Sequence, residues 1–186
     1  MGDADTDSRA PQPSRPINSR PTRRRLPRHE KLGASVTMFM AASADQVWSR
    51  ISDITRIGQY SPETFEAEWL DGATGPAVGA RFRGHVHRNG RGPTYWSVCT
   101  VLECEPGRVF SFAVGVGDLR LNIWRYEIVP VDDGVHVTES FALTPSWANR
   151  IYWAVLGRAR GRTNVRGMRT TLERIKRDVE ADPPSG

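Results

Sequence analysis

Two alternating segments late in the chain hold the residue types best suited to chemistry. Within Arg120–Val131, Trp124, Tyr126 and Ile128 fall on one face of a strand. Within Val135–Leu143, Val135, Val137, Glu139 and Phe141 fall on one face of the next. Asp132-Asp133-Gly134 between them reads as a hairpin turn. If both faces look into one concavity, Glu139 is a carboxyl group among Trp, Tyr and Phe, and Tyr126 supplies a hydroxyl. Desolvation would then raise the pKa of Glu139 into the range of a general acid or base. The opposite parity leaves Glu139 in solvent or beside an arginine such as Arg125 or Arg83, and the sequence leaves that choice open. Glu139 and Tyr126 are thus the candidate catalytic residues, with hydrogen bonding to a ligand as their alternative role.

Other candidates concern binding. Trp69, Trp96, Trp124 and Phe141 are the aromatic residues expected to line a pocket, and Tyr60 is placed to gate it beside the glycine-bearing loop 72–79. His85 and His87 share a strand face and resemble two metal ligands, but no third follows from the spacing. They are read as solvent-facing, with Phe82, Gly84 and Val86 pointing inward, and no metal is expected. Cys99 and Cys104 lie five positions apart, which on a regular strand means opposite faces and about 16 Å at about 3.3 Å per residue. Two free thiols are expected. Gly115-Val116-Gly117 precedes a strand, not a helix, so it is not a dinucleotide fingerprint, and no P-loop is present. No cofactor is implied.

The elements that position these residues follow from periodicity and punctuation. Ala34–Ala41 alternates as a first strand. Ser43 and Gln46 form a capping box ahead of Val47, Trp48, Ile51 and Ile54, which recur at helical spacing. One or two short helices end by Ser61-Pro62. Segments 65–70, 80–88, 94–105, 109–114, 120–131 and 135–143 read as six further strands, with Asn89-Gly90 as a hairpin signal. The short turns favour an antiparallel meander over crossover connections. Thr144-Pro145 opens a long helix whose apolar stripe is Val165, Met168, Leu172, Ile175 and Val179, with arginines on the remaining directions. Gly157 and Gly161 weaken it locally or split it in two. A curved sheet around one helix is not filled by that helix, and the remaining space is an apolar pocket.

Length and charge bound the rest. The chain has 186 residues, 38% of them hydrophobic, and a net charge of +5. That suits one domain with a sizeable core. Residues 1–32, rich in Pro, Ser and Arg, carry a balance of +4 and are expected to be disordered. Residues 33–180 are expected to form one domain and 181–186 a frayed tail. The body, 33–149, is acidic at −4, whereas 150–177 carries +8. The basic tail and helix suit weak contact with anionic lipid or nucleic acid. No apolar stretch approaches a membrane span and no apolar leader opens the chain, which predicts a cytoplasmic protein.

Several motifs carry a resemblance. Ala44-Asp-Gln-Val-Trp48, Asp53 through Ser61-Pro62, Val78-Gly-Ala-Arg-Phe82, Glu105-Pro-Gly-Arg-Val-Phe110, Trp124-Arg-Tyr126, Val137-Thr-Glu-Ser140 and Asn164 through Leu172 resemble the START-like helix-grip superfamily, also called SRPBCC. The match is to its polyketide cyclase/dehydrase and lipid-transport branch, actinobacterial members included. The resemblance spans roughly residues 34–180. It implies an α+β helix-grip fold: a seven-stranded curved antiparallel sheet around a long C-terminal helix, with two short helices after strand 1. It implies binding of a lipid, fatty acyl group or aromatic polyketide in an internal cavity. The alternatives are a cyclase or dehydratase using Glu139 and Tyr126, and a toxin-like or regulatory partner of a toxin–antitoxin pair.

Overall fold

The computed structural model describes residues 33–90, 92–116, 119–144 and 147–182, without the side chains of 89, 116, 119 and 147–160. The expected tail 1–32, the Pro145 opening of the last helix and the final residues 183–186 lie outside the described residues. Strand β1 (Gly33–Met40) is followed by α1 (Ala44–Ser52), a 3₁₀ turn and α2 (Ile57–Tyr60). Then come β2 (Thr64–Trp69), β3 (Arg81–Val86), β4 (Tyr95–Glu105), β5 (Val109–Val116), β6 (Leu119–Val131) and β7 (Gly134–Leu143). Helix α3 (Trp147–Ala181) closes the described chain as one element, running through both Gly157 and Gly161. The sheet order is β1-β7-β6-β5-β4-β3-β2, with every pair antiparallel. This is the helix-grip architecture.

Local chemistry starts each helix. The Ser43 hydroxyl accepts from the Gln46 amide at 3.2 Å, and Gln46 reaches back to the Ser43 amide at 3.0 Å, satisfying two orphan donors of α1. Asp53 caps the following turn through the Thr55 amide. Gly58 lets α2 lie directly on β2: a Cβ there would stand 2.1 Å from the Phe65 carbonyl oxygen. Helix α3 buries Met168, Leu172, Ile175 and Val179 almost completely, at 1% exposure or less. Each such side chain contributes about 1.5–3 kcal/mol on leaving water. Arg162, Arg166, Arg169 and Arg177 stay on the exposed side.

Strand irregularities correct three expectations. The register of β4 on β5 shifts between Val101 and Glu103, so one residue is bulged out. Cys104 therefore faces the same way as Cys99, and both belong to the core side instead of opposite faces. Both remain free thiols. A second bulge between Thr64 and Glu66 turns Phe65 outward, away from Ala67, to rest on His85 with ring centroids 4.4 Å apart. The Asn89-Gly90 signal marks no two-residue hairpin: a 3₁₀ turn, Arg88–Gly90, starts a longer connection from β3 to β4.

Polar contacts tie the helices together at one point. Asp178 on α3 accepts from the Tyr60 hydroxyl at 2.6 Å and from Arg50 Nε at 2.8 Å, with Arg56 at 3.4 Å. The Tyr60 hydrogen bond, then the two arginines, holds the Asp178 carboxyl below its ordinary pKa. That stabilisation is present above the ordinary carboxylate range and is lost as pH falls through the lowered value. Tyr60→Phe should cost about 1 kcal/mol in urea unfolding at neutral pH, and the difference from the parent should shrink as Asp178 is protonated. An undiminished difference at acid pH would show that Tyr60 acts by packing alone.

Candidate ligand cavity and its buried carboxyl group

The concave face of the sheet does not close fully on α3. A cavity of about 180 Å³ remains between them. Its walls are apolar and aromatic: Phe82 on β3, Phe110 and Phe112 on β5, Trp124 on β6, Phe141 on β7 and Met168 on α3. Ile51, Ile54 and Ile57 from the first helical region close one side. Rings meet edge-on or tilted: Phe82 to Phe112 at 5.1 Å, and Trp124 to Phe141 at 4.9 Å. Such contacts keep the wall rigid, at about 0.5–1.5 kcal/mol per pair beyond area burial.

Glu139 interrupts this wall. It stands opposite Tyr126 in the β6–β7 register and is 3% exposed. The Tyr126 hydroxyl donates to Glu139 Oε1 at 2.9 Å. Burial pushes the Glu139 carboxyl up to about 8, against which the Tyr126 hydrogen bond acts in the lowering direction. Burial, then the adjacent carboxyl, pushes the Tyr126 phenol well above its ordinary value. Neither Arg125 nor Arg83 is near: Arg125 pairs with Glu103 and Glu127, and Arg83 with Glu68, all on the convex side. Near neutral pH the pair is thus a largely neutral acid and a phenol, able to give or take one proton at Glu139.

Three side-chain atoms around the cavity are buried and find no partner among the described residues: Glu139 Oε2, Asn122 Oδ1 and Asn164 Nδ2. Each such atom costs about 1–3 kcal/mol if nothing completes it. Two of them stand on the sheet wall and Asn164 on the facing helix, so hydrogen-bonding capacity is left unused on both sides of the cavity. Asn122 and Asn164 are residues that the sequence reading missed. Asn122 continues the inward face of Trp124 and Tyr126 by one more alternate position. Asn164 lies four residues before Met168, so extending the helical stripe backward reaches it as readily as Val165.

The remaining sequence candidates divide. Trp124, Tyr126, Glu139 and Phe141 all stand on the cavity wall. Trp69 packs edge-on to Phe82 at 5.6 Å and is not among the lining residues. Trp96 faces the other way: its neighbours Tyr95 and Ser97 line the cavity, so its own side chain is on the convex surface. There it stacks on His85 at 4.4 Å with the Arg83 guanidinium over its ring. Tyr60 is 2% exposed and bound to Asp178, which makes it a clamp between helices and not a gate. Burial pushes the Cys99 thiol up to about 12, so it is no nucleophile at neutral pH.

This arrangement of curved sheet, gripped helix and lined hollow is matched over residues 32–180 by the family described as polyketide cyclase / dehydrase and lipid transport. The chain belongs to that family. Several solved structures share the chain's fold. A polyketide-cyclase-like protein of Corynebacterium glutamicum is 29% identical, over 80% of this chain and 91% of its own, with a TM-score of 0.51. A START superfamily protein of Mycobacterium smegmatis is 18% identical, over 80% and 97%, with a TM-score of 0.61. The di-domain ARO/CYC StfQ of the steffimycin biosynthetic pathway is 12% identical, over 81% of this chain and 51% of its own, with a TM-score of 0.55. No curated protein matches the chain. Among the described residues no helix is long and apolar enough to cross a membrane.

The raised pKa has a stability consequence with a definite sign. From about pH 4.5 to about pH 8 the folded family member keeps a proton on Glu139 that the unfolded chain has released. Stability therefore falls as pH rises through that window and levels off above it. Glu139→Gln is neutral throughout and can still accept from Tyr126. The variant should match the parent at pH 4 and exceed it above pH 8, by a few kcal/mol on the scale of 1.36 kcal/mol per pKa unit. Thermal melting at pH 4, 6 and 8 measures this. A variant less stable than the parent at pH 8 would mean that Glu139 is charged and well solvated in the fold.

Proposed function

We propose that the protein binds a small apolar or amphipathic molecule in the cavity between the sheet and α3. The observation that carries this reading is the aromatic hollow with three uncompleted polar atoms on its wall. A cavity of about 150 Å³ can hold a benzene ring, so the hollow of about 180 Å³ suits a ring-sized body or a short chain. Membership of the family named for polyketide cyclisation and lipid transport supports the same class of ligand.

Ring-sized apolar and amphipathic compounds should raise the melting temperature in proportion to log concentration, with about 2.7 kcal/mol of stabilisation at a hundredfold excess over Kd. Val114→Trp, which fills the cavity from β5, should abolish the shift. A broad panel without any shift, together with no ligand retained in native mass spectrometry, would overturn the proposal.

One observation favours a second reading, an acid–base enzyme of the cyclase or dehydratase type. Glu139 is held near the pH at which a carboxyl both gives and takes a proton efficiently, with Tyr126 beside it. The fold likeness to the steffimycin ARO/CYC agrees with this without identifying a substrate. On this reading Glu139→Gln removes turnover of an aromatic polyketide while the substrate still shifts the melting temperature. Turnover that persists in the variant rejects the assignment.

A further inference from the structure

The electrostatics of the cavity single out one class of ligand head group. Among the described lining residues the acidic side chains are Glu139, which is buried, and Glu63, which is half-buried. Arg88 is the only basic side chain among the described lining residues. Arg88 is exposed and follows β3, four strand positions from β7, which is about 19 Å along the sheet. It cannot neutralise Glu139. Around Glu139 the register places Tyr126 directly opposite, Phe110 beyond it, and Phe141 and Trp124 one alternate position along. Aromatic faces attract cations, most strongly for tryptophan and more so away from water. Once its proton is released, the unpartnered Glu139 oxygen within this aromatic box is a receptor for a positive group.

We propose that the cavity takes a small apolar primary amine, its ammonium group seated on Glu139 Oε2 beside the Trp124 and Phe141 rings. This rests on the cavity-binding reading above and specifies its ligand. The ammonium donates one N–H to Oε2, while Oε1 keeps the bond from Tyr126. The proton held by the free carboxyl leaves to solvent as the ammonium arrives, so charge is balanced inside the wall. Displacing that proton at pH 7 weakens binding by a factor of about ten, given a carboxyl held near 8. The charge-assisted hydrogen bond and the flanking Trp124 and Phe141 ring faces act against that loss and against the cost of drying the ammonium. Asn122 lies four positions from Tyr126 on the same strand face, about 13 Å away, and serves the far end of the molecule. An anionic head group finds the reverse situation: a carboxyl at the deep site, and a cation only at the rim.

Three probes with one apolar body test this on the full chain by calorimetry at pH 7: 2-(aminomethyl)naphthalene, 2-(hydroxymethyl)naphthalene and 2-naphthoate. The amine should bind at least tenfold more tightly than the alcohol, and the naphthoate most weakly. Titration in two buffers of different ionisation enthalpy should show close to one proton released per amine bound and none per alcohol. Glu139→Gln should bring the ratio of amine to alcohol affinity down to about one, a ratio taken within the same variant and so independent of its stability. An alcohol that equals the amine in the parent overturns the amine proposal and leaves the cavity reading intact. Naphthoate as the tightest probe does the same. Failure of all three to bind overturns the amine proposal, and the broad panel with native mass spectrometry decides the cavity reading separately.

Discussion

Burial of the Glu139 carboxyl opposite the Tyr126 hydroxyl is the constraint around which the interior is arranged. A carboxylate at that depth needs a countercharge or a proton. Among the described residues no arginine or lysine stands there, only one phenolic donor, and the result is a carboxyl that keeps its proton near neutral pH. The arginines that might have neutralised it are committed to carboxylates on the other side of the sheet. One ionisable carboxyl group is thus buried in a surface built mainly from rings and aliphatic side chains, with a few polar groups such as Asn122 and Asn164.

The fold delivers this group by curvature and parity. Neighbouring positions on β6 and β7 alternate between the cavity and the convex surface, so Tyr126 and Glu139 are inward while Arg125 and Ser140 are outward and bonded to each other through the Arg125 carbonyl. Helix α3 supplies the facing wall. Its buried stripe holds it to the sheet at Met168, Leu172, Ile175 and Val179, and the Asp178 cluster with Arg50 and Tyr60 fixes it to the short helices. Further toward its N-terminus the stripe turns polar at Asn164, where the helix no longer fills the concavity. One helix therefore both packs and lines a space: its C-terminal turns lie on the sheet, the turns from Thr163 to Thr171 border the cavity, and Met168 does both.

The convex surface follows different rules. Phe65, His85, Trp96 and Arg83 form a stacked row over β2, β3 and β4, partly exposed and braced by Glu66 and Glu68. Aromatic content alone does not separate this row from the cavity lining. Trp96 and Trp124 are the same residue type on strands of the same sheet, yet one faces solvent and the other the hollow. The difference is one step of strand parity.

Much of this was legible in the chain. Alternation, turn residues and the capping box at Ser43 and Gln46 marked seven strands, the short helices and the long last helix, because each signal is local and depends on backbone period or a nearby hydrogen bond. That Trp124 and Tyr126, and across the turn Glu139 and Phe141, share faces was likewise readable from alternation, while which way those faces look was not. Tertiary structure decided what local pattern cannot encode. The bulges at β2 and β4 reversed the facing of Phe65 and Cys104, since one extra residue inverts every later side chain. The role of Tyr60 depended on Asp178, 118 residues away. Whether Glu139 met an arginine or a phenol was settled only by which strands became neighbours, and its raised pKa follows from that burial and not from its own sequence surroundings.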